Sequence, residues 1–335
     1  MIISGTSLSG VRIYGTALPV IQGQILFAGN AGGVSSLSYA PSGASTYKYD
    51  VQSSWTVPAG VTSICVVCIG AGGSGAQGSS VTNYPNSGGG GGLSYVNNIT
   101  VTPGETLYVT YGPALTAATT GTGSYGSCAT LWRGSPFSGT LLCGAMGGQN
   151  AQTGTGAGQQ GGWFAHNPSN PSQPTQNGTL SSGVGYYGGS GGSSNSFSKA
   201  AGGGGAAGYT GNGGLGGGQY SSTIYVGASV STGGGGGGGG TTTNGVGGGG
   251  GGVAPTGPFN GVGGGTGTNG VDGTGGAKTS NYLGAGLFYG GGGGGITTSA
   301  GITPNYFLNG VGGPSCVRII WGPNRAFPST NTADV

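Results

Sequence analysis

The chain has 335 residues, of which 91 are glycine and 16 proline, and only 3% are charged, for a formal net charge of +3. So few cations, spread without a basic stripe, give a phosphate backbone no electrostatic footprint, and nucleic-acid binding is not expected. No apolar run approaches the roughly 20 residues of a membrane span, and Met1-Ile2-Ile3-Ser4-Gly5-Thr6 lacks the charged start and long apolar core of a signal peptide.

In chain order, residues 1–47 form an opening segment expected to serve attachment or oligomerisation. Ile2-Ile3, Val11-Arg12-Ile13-Tyr14 and Gln24-Ile25-Leu26-Phe27 read as short strands between Gly, Ser and Pro. The segment is too small to bury a core of its own, so it should pack on the next domain or a neighbouring subunit. The β signal strengthens over 48–180. Trp55-Thr56-Val57-Pro58-Ala59-Gly60-Val61 reads as a strand end and a Pro/Gly turn. Ile64-Cys65-Val66-Val67-Cys68-Ile69 is apolar on both faces, as a strand inside a sandwich should be. After five glycines, a strand over 93–101 leads to Thr102-Pro103-Gly104-Glu105, which suits a type II turn. The alternation of Leu107, Val109 and Tyr111 with polar neighbours then predicts a hairpin with one buried face. Residues 129–133 and 140–143 read as another strand pair. The last strong strand, Cys316-Val317-Arg318-Ile319-Ile320-Trp321, has no local partner and should return to the sheet begun near Trp55.

Residues 181–313 change character, with eight consecutive glycines at 233–240 and six each at 247–252 and 290–295. Collagen is unlikely to be the answer, since no strict Gly-X-Y register holds, and glycine's propensity excludes an α-helix. A flexible linker is the plain compositional reading. The ordered alternative is a bundle of extended three-fold helices of the polyproline II shape, whose bare backbones satisfy one another's N–H and C=O groups. The fold expected is therefore mainly β: a β-sandwich-like domain over 48–180, completed by 314–322. A polyglycine II-type bundle is inserted before the last strand, and 323–335 form a tail. If each run crosses the bundle once, connectors 193–201, 241–246 and 277–289 should share one end, and 219–232, 253–260 and 296–309 the other. An extra turn hidden in 202–218 or 261–276 would swap the later assignments.

The Cys65-Val66-Val67-Cys68 spacing matches redox and zinc motifs. In a strand, however, residues three apart face opposite ways, and only one histidine, His166, exists to complete a site. Buried free thiols are expected, with no metal and no Cys65–Cys68 disulfide.

The segment from Trp55 through Val57-Pro58-Ala59-Gly60-Val61 to Gly70-Ala71-Gly72-Gly73, with Thr102-Pro103-Gly104-Glu105 after it, resembles the glycine-rich domain of phage tail-fibre and related virion proteins. The ending Val317-Arg318-Ile319-Ile320-Trp321-Gly322, with Phe327-Pro328-Ser329-Thr330-Asn331-Thr332, is similar to the C-termini of glycine-rich virion proteins of marine cyanobacterial phages. The polyglycine section resembles the tip adhesins of some T-even-like phages, in which glycine helices carry receptor-binding loops. The resemblance covers residues 50–332 and implies a tailed-phage virion surface protein, a tail-fibre or adhesin component released by lysis. Its partners would be other virion proteins, other copies of the chain, and a bacterial surface glycan or outer-membrane protein. The competing expectation is a purely structural virion part, such as a capsid decoration or fibre shaft.

Chemistry for catalysis is sparse. Asp50, Glu105, Asp272 and Asp334 are far apart in sequence, and His166 sits in a loop-like stretch without a nucleophile motif. No glycine run ends in the Gly-Lys-Ser/Thr of a phosphate loop. No enzyme activity, cofactor or metal is expected. Tyrosines amid Ser, Thr, Asn and Gly match the composition of adaptable recognition loops. They could equally cover the faces of the bundle as packing area. The receptor-binding candidates are Phe197, Tyr220, Tyr225, Phe259, Tyr282, Phe288, Tyr289, Tyr306 and Phe307.

Overall fold

The computed structural model describes residues 22–29, 51–78, 84–113, 125–136, 139–151, 161–162, 183–195, 199–220, 223–224, 227, 233–234, 236, 247–254, 289–297 and 310–328. These form thirteen strands and no helix: β1 (Gly23–Ala28), β2 (Val51–Thr56), β3 (Ser63–Ile69), β4 (Gln77–Gly78), β5 (Leu93–Thr100), β6 (Thr106–Tyr111), β7 (Ala129–Arg133), β8 (Thr140–Ala145), β9 (Val184–Tyr186), β10 (Gln219–Tyr220), β11 (Thr223–Ile224), β12 (Ile296–Thr297) and β13 (Cys316–Trp321). Two antiparallel sheets dominate, one in the order β1-β13-β3-β5-β9, the other β2-β6-β7-β8. The stretches 2–3 and 11–14, expected as strands, lie outside the described residues.

The two sheets share one apolar core. Ile64, Val66 and Cys68 of β3, with Val317 and Ile319 of β13, meet Trp55, Leu107, Val109, Leu131 and Cys143 from the other sheet. The Trp55 and Trp321 rings, 5.4 Å apart, close one side of this contact. Each fully buried Leu, Ile or Val there contributes about 1.5–3 kcal/mol. The other face of β3 carries Cys65, Val67 and Ile69 into a second core with Leu93, Tyr209, Val253, Ile320 and Phe327. Both faces of β3 are therefore covered, which explains why its sequence is apolar without alternation.

Strand β13 lies between β1 and β3, with Ile319 opposite Val66 and Ile25. The distant last strand thus returns to the β domain as expected, but it joins the sheet of β3 and not that of Trp55, which belongs to β2 in the other sheet. Strand β1 forms over the expected 24–27 and completes this sheet. The expected pair β7–β8 is also present.

One local expectation is overturned. Gly104 adopts φ +83°, and the Glu105 amide donates to the Thr102 carbonyl, as the Pro-Gly turn requires. Yet β5 and β6 do not form a hairpin: β5 pairs with β3 and β9, while β6 pairs with β2 and β7. The turn carries the chain from one sheet to the other, because each strand finds a better apolar partner there than its sequence neighbour.

Glycine-rich backbone continues directly from β3 into 70–76, from β8 into 146–151 and from β9 into 187–192, while 85–92 leads into β5 and 310–315 into β13. Four more extended stretches, 201–207, 211–217, 247–251 and 290–295, pack among these. Their hydrogen bonds repeat every three residues, in contrast to the two-residue alternation of a strand. In 85–92, the amides of Ser87 and Gly90 donate to Gly192 and Gly189, those of Gly88 and Gly91 to Gly293 and Gly290, and those of Gly89 and Gly92 to Gln149 and Met146. The carbonyls of Asn86, Gly89 and Gly92 accept from Ala76, Gly73 and Gly70. Those of Gly88 and Gly91 accept from Gly204 and Ala207, and that of Gly90 from Gly162.

Segment 85–92 is thereby bonded to six others. Segment 201–207 is likewise bonded to 85–91, 189–192, 214–217, 234, 248–251 and 292–295. Such approach leaves no room for side chains: a Cβ at Gly90 would lie 2.0 Å from the Gly205 oxygen. Where a position opens outward, side chains appear at the same three-residue interval. Tyr187, Ser190 and Ser193 are partly exposed while the glycines between them are buried.

Candidate functional site

The order of bonding partners gives each glycine segment a direction. Partner numbers fall as donor numbers rise between 85–92 and each of 70–76, 146–149, 189–192 and 290–293, so these run antiparallel to it, whereas 201–207 runs parallel. The array therefore has two distinct ends. One adjoins the sheets and includes Gly70, Gly92, Met146, Ala207, Gly251, Gly290 and Gly313. The other, the far end, includes Ala76, Asn86, Asn150, Gly192, Ala201, Gly217, Gly247, Gly295 and Gly310.

The expected alternation of connectors is corrected by this geometry. Within 202–218 the chain reverses at Tyr209-Thr210: Gly202, Gly205 and Gly208 donate to Gly217, Gly214 and Gly211 in turn. That extra hairpin brings Gln219 to the end already occupied by Ser193, where 296 also emerges. Val253 and Tyr289, placed on opposite ends by the alternation, instead bridge to each other at the sheet end.

The sheet end is closed by packing. Tyr209 is fully buried, its ring 6.1 Å from that of Tyr95 and 5.9 Å from that of Phe327, and its hydroxyl donates to the Ala254 carbonyl. The Asn97 carboxamide holds Phe327 by both backbone groups, at 2.7 and 2.9 Å. Tyr289 packs against the same core, and burial, with the nearby Cys316 thiol, pushes its hydroxyl up to about 12.

The far end is finished with side-chain amides and hydroxyls. Asn150 Oδ1 accepts from the Ser74 amide and Asn86 Oδ1 from the Ser194 amide, both at 2.9 Å. Ser87 Oγ donates to the Gly192 and Gly202 carbonyls. These groups satisfy backbone positions that a continuing glycine segment would otherwise meet, as caps do for a helix. Short ladders follow: β10 pairs with β11, and β12 pairs in parallel with β4.

Of the nine recognition candidates, Phe197, Tyr225, Phe259, Tyr282, Phe288, Tyr306 and Phe307 lie outside the described residues. Among the described residues, Asn195, Lys199, β10 with Tyr220, β11, Thr297 and Gly310 are at the far end. Ala254 and Tyr289 are at the sheet end. The sequence signal for these directions was the pair Tyr209-Thr210, two bulky residues together inside a glycine-rich run.

Cys65 and Cys68 fall in different cores, on opposite faces of β3. Among the described residues no group of three or more His, Cys, Asp or Glu is arranged to hold a metal ion, and no helix is long and apolar enough to cross a membrane. Comparison with known proteins adds no name to this geometry: no protein-family model matches the chain, and no curated protein matches it.

Proposed function

We propose that the chain is a virion surface protein of a tailed bacteriophage, a tail-fibre or adhesin component, and that it binds the host surface through the far end of its glycine array. The array itself is a polyglycine II-type bundle, built from 70–76, 85–92 and 146–151 as well as from the segments between β9 and β13. The three-residue repeat of its hydrogen bonds and the six-fold surroundings of 85–92 and 201–207 support that reading. The observation that carries the function is the inequality of the two ends. One is packed against the sheets by the core around Tyr209, while the other is capped by Asn86, Asn150 and Ser87 and leads into connectors rich in Tyr, Ser, Asn and Thr. A bundle without side chains has little chemistry along its length, so recognition falls to the connectors. The target fitting uncharged aromatic and hydroxyl groups is a bacterial surface glycan or an outer-membrane protein, and the work is binding, not catalysis.

The test is adsorption. Purified protein should bind host cells and compete with phage particles for them. Tyr220→Ser, Tyr225→Ser and Tyr306→Ser together should weaken binding at least ten-fold without changing the unfolding transition, while Tyr282→Ser should leave binding unchanged. Full binding by the triple variant, with loss in Tyr282→Ser, would reverse the assignment of ends. A protein found in virions that neither binds cells nor competes would leave the structural reading, a capsid decoration or fibre shaft.

A further inference from the structure

The five cysteines are all buried and reduced, and packing sorts them by face. Cys65 donates to the Arg325 carbonyl at 3.1 Å on the outer face of the first sheet, where Cys316 also lies. Cys68 points the other way, into the core between the sheets, and Cys143 of β8 enters that core from the opposite sheet. The Cys143 sulfur is 3.4 Å from Ser94 Oγ and 3.6 Å from the Ser94 carbonyl. Ser94 is the residue directly opposite Cys68 in the β3–β5 ladder. Ser94 is thus the shared neighbour of both thiols on the inner face of the first sheet. Two cysteines 75 positions apart in sequence, one from each sheet, therefore meet inside the core, both with 0% exposure.

We propose that Cys68 and Cys143 form an oxidisable pair that closes a disulfide between β3 and β8, covalently joining the two sheets. A disulfide requires its Cα atoms about 4.4–6.8 Å apart, so closing the bond would draw β3 and β8 together at the point where both cysteines flank Ser94. The bond would enclose 69–142, which contains β5, β6 and β7. The inference stands on the packing of the sheets, whether or not the chain is a virion protein. If it works outside the cell, it works where such bonds persist.

With a small azodicarboxamide oxidant the step balances. One thiol adds across the N=N bond, forming an S–N bond. The second, as thiolate, attacks that sulfur, so the S–S bond forms as the S–N bond breaks. Two electrons pass from the sulfur pair to the nitrogens, and both thiol hydrogens end on the hydrazine released. Burial of Cys68 keeps its thiol protonated and slows the reaction in the closed fold, so oxidation should proceed at the rate at which the core opens.

The experiment treats the full chain with the oxidant, in native buffer and in urea just below the unfolding transition, then alkylates remaining thiols after denaturation. The expected result is alkylation of two fewer than the five thiols, with mass spectrometry joining the Cys68 and Cys143 peptides and reductant restoring all five. The oxidised form should also unfold at higher urea than the reduced form. Cys128→Ser should retain the cross-link, while Cys68→Ser and Cys143→Ser should each lose it. Alkylation of all five thiols under both conditions, or a link involving Cys65, Cys128 or Cys316, would overturn the proposal.

Discussion

Replacing Gly90 with alanine tests the close packing of the glycine array at an enclosed position. The added Cβ would lie 2.0 Å from the Gly205 oxygen, 2.4 Å from its carbonyl carbon and 2.9 Å from the Ala206 nitrogen. All three are backbone atoms, so no side chain can swing away. Relief requires 85–92 and 201–207 to separate by more than 1 Å, roughly the shortfall from an ordinary contact. That motion stretches the bonds from Gly204 to Gly88 and from Ala207 to Gly91, now 3.0 and 2.9 Å, beyond useful length. Two lost bonds at about 1 kcal/mol each, plus about 1–3 kcal/mol for overpacking, give a destabilisation of about 3–5 kcal/mol. Gly104→Ala is the matched control. It has φ +83° but nothing within 4 Å of the added carbon, so only conformational strain of about 1–2 kcal/mol applies. Equilibrium urea unfolding of both variants, with hydrogen exchange at Gly204 and Ala207, separates the two causes. If Gly90→Ala proves no more destabilising than Gly104→Ala, the close-packing argument is wrong.

Two further outcomes are expected. Asn150→Ala removes the acceptor for the buried Ser74 amide, which should cost about 1–3 kcal/mol and accelerate exchange of that amide. Asn212→Ala, whose bond to the Tyr187 amide is exposed, should cost less than half as much. Alkaline pH should destabilise the fold, since burial raises the thiols of Cys68 and Cys316 and the hydroxyls of Tyr209 and Tyr289. Groups raised in the folded state contribute fully below their unfolded values and lose that contribution as pH climbs through the folded ones. Stability should therefore hold to about pH 9 and fall beyond it. Tyr289→Phe should flatten the part of the fall between the ordinary tyrosine value of 10.0 and about 12, read from urea midpoints across that range.

The β domain was legible where side chains alternate or fill both faces. The doubly apolar 64–69 signalled a covered strand, and the unpaired run at 316–321 signalled a distant partner. Partner choice was less legible. Pro103-Gly104 specified the turn's dihedrals correctly, but a turn does not say whether the next strand stays in its sheet, and here it crosses to the other. In the glycine segments the limit is physical: backbone without side chains carries neither a hydrophobic face nor a register, so direction can be read only from bonding partners. The partial exceptions are positions that open outward. Tyr187-Gly188-Gly189-Ser190-Gly191-Gly192-Ser193 writes a three-residue period into the sequence. The search for a collagen-like repeat over the whole region passes over it, because enclosed segments have no outward position to mark.

That same blankness constrains the protein's chemistry. Enclosed glycines such as Gly88, Gly90, Gly91, Gly203 and Gly204 accept no Cβ, so selection for new contacts cannot act at them without breaking the array. Its peripheral segments offer only every third position, such as Ser190 and the exposed Leu215. The sheet end has side chains, but Tyr209, Phe327 and Tyr95 already spend them on holding the array to the sheet. The far end differs in kind: its buried backbone is satisfied locally by Asn86, Asn150 and Ser87, so a connector can change sequence or length without withdrawing a hydrogen bond from the interior. A fold that separates a fixed, glycine-built interior from independently capped connectors leaves the far end open to variation. It is at that end that a partner-specific surface can evolve at little cost in stability.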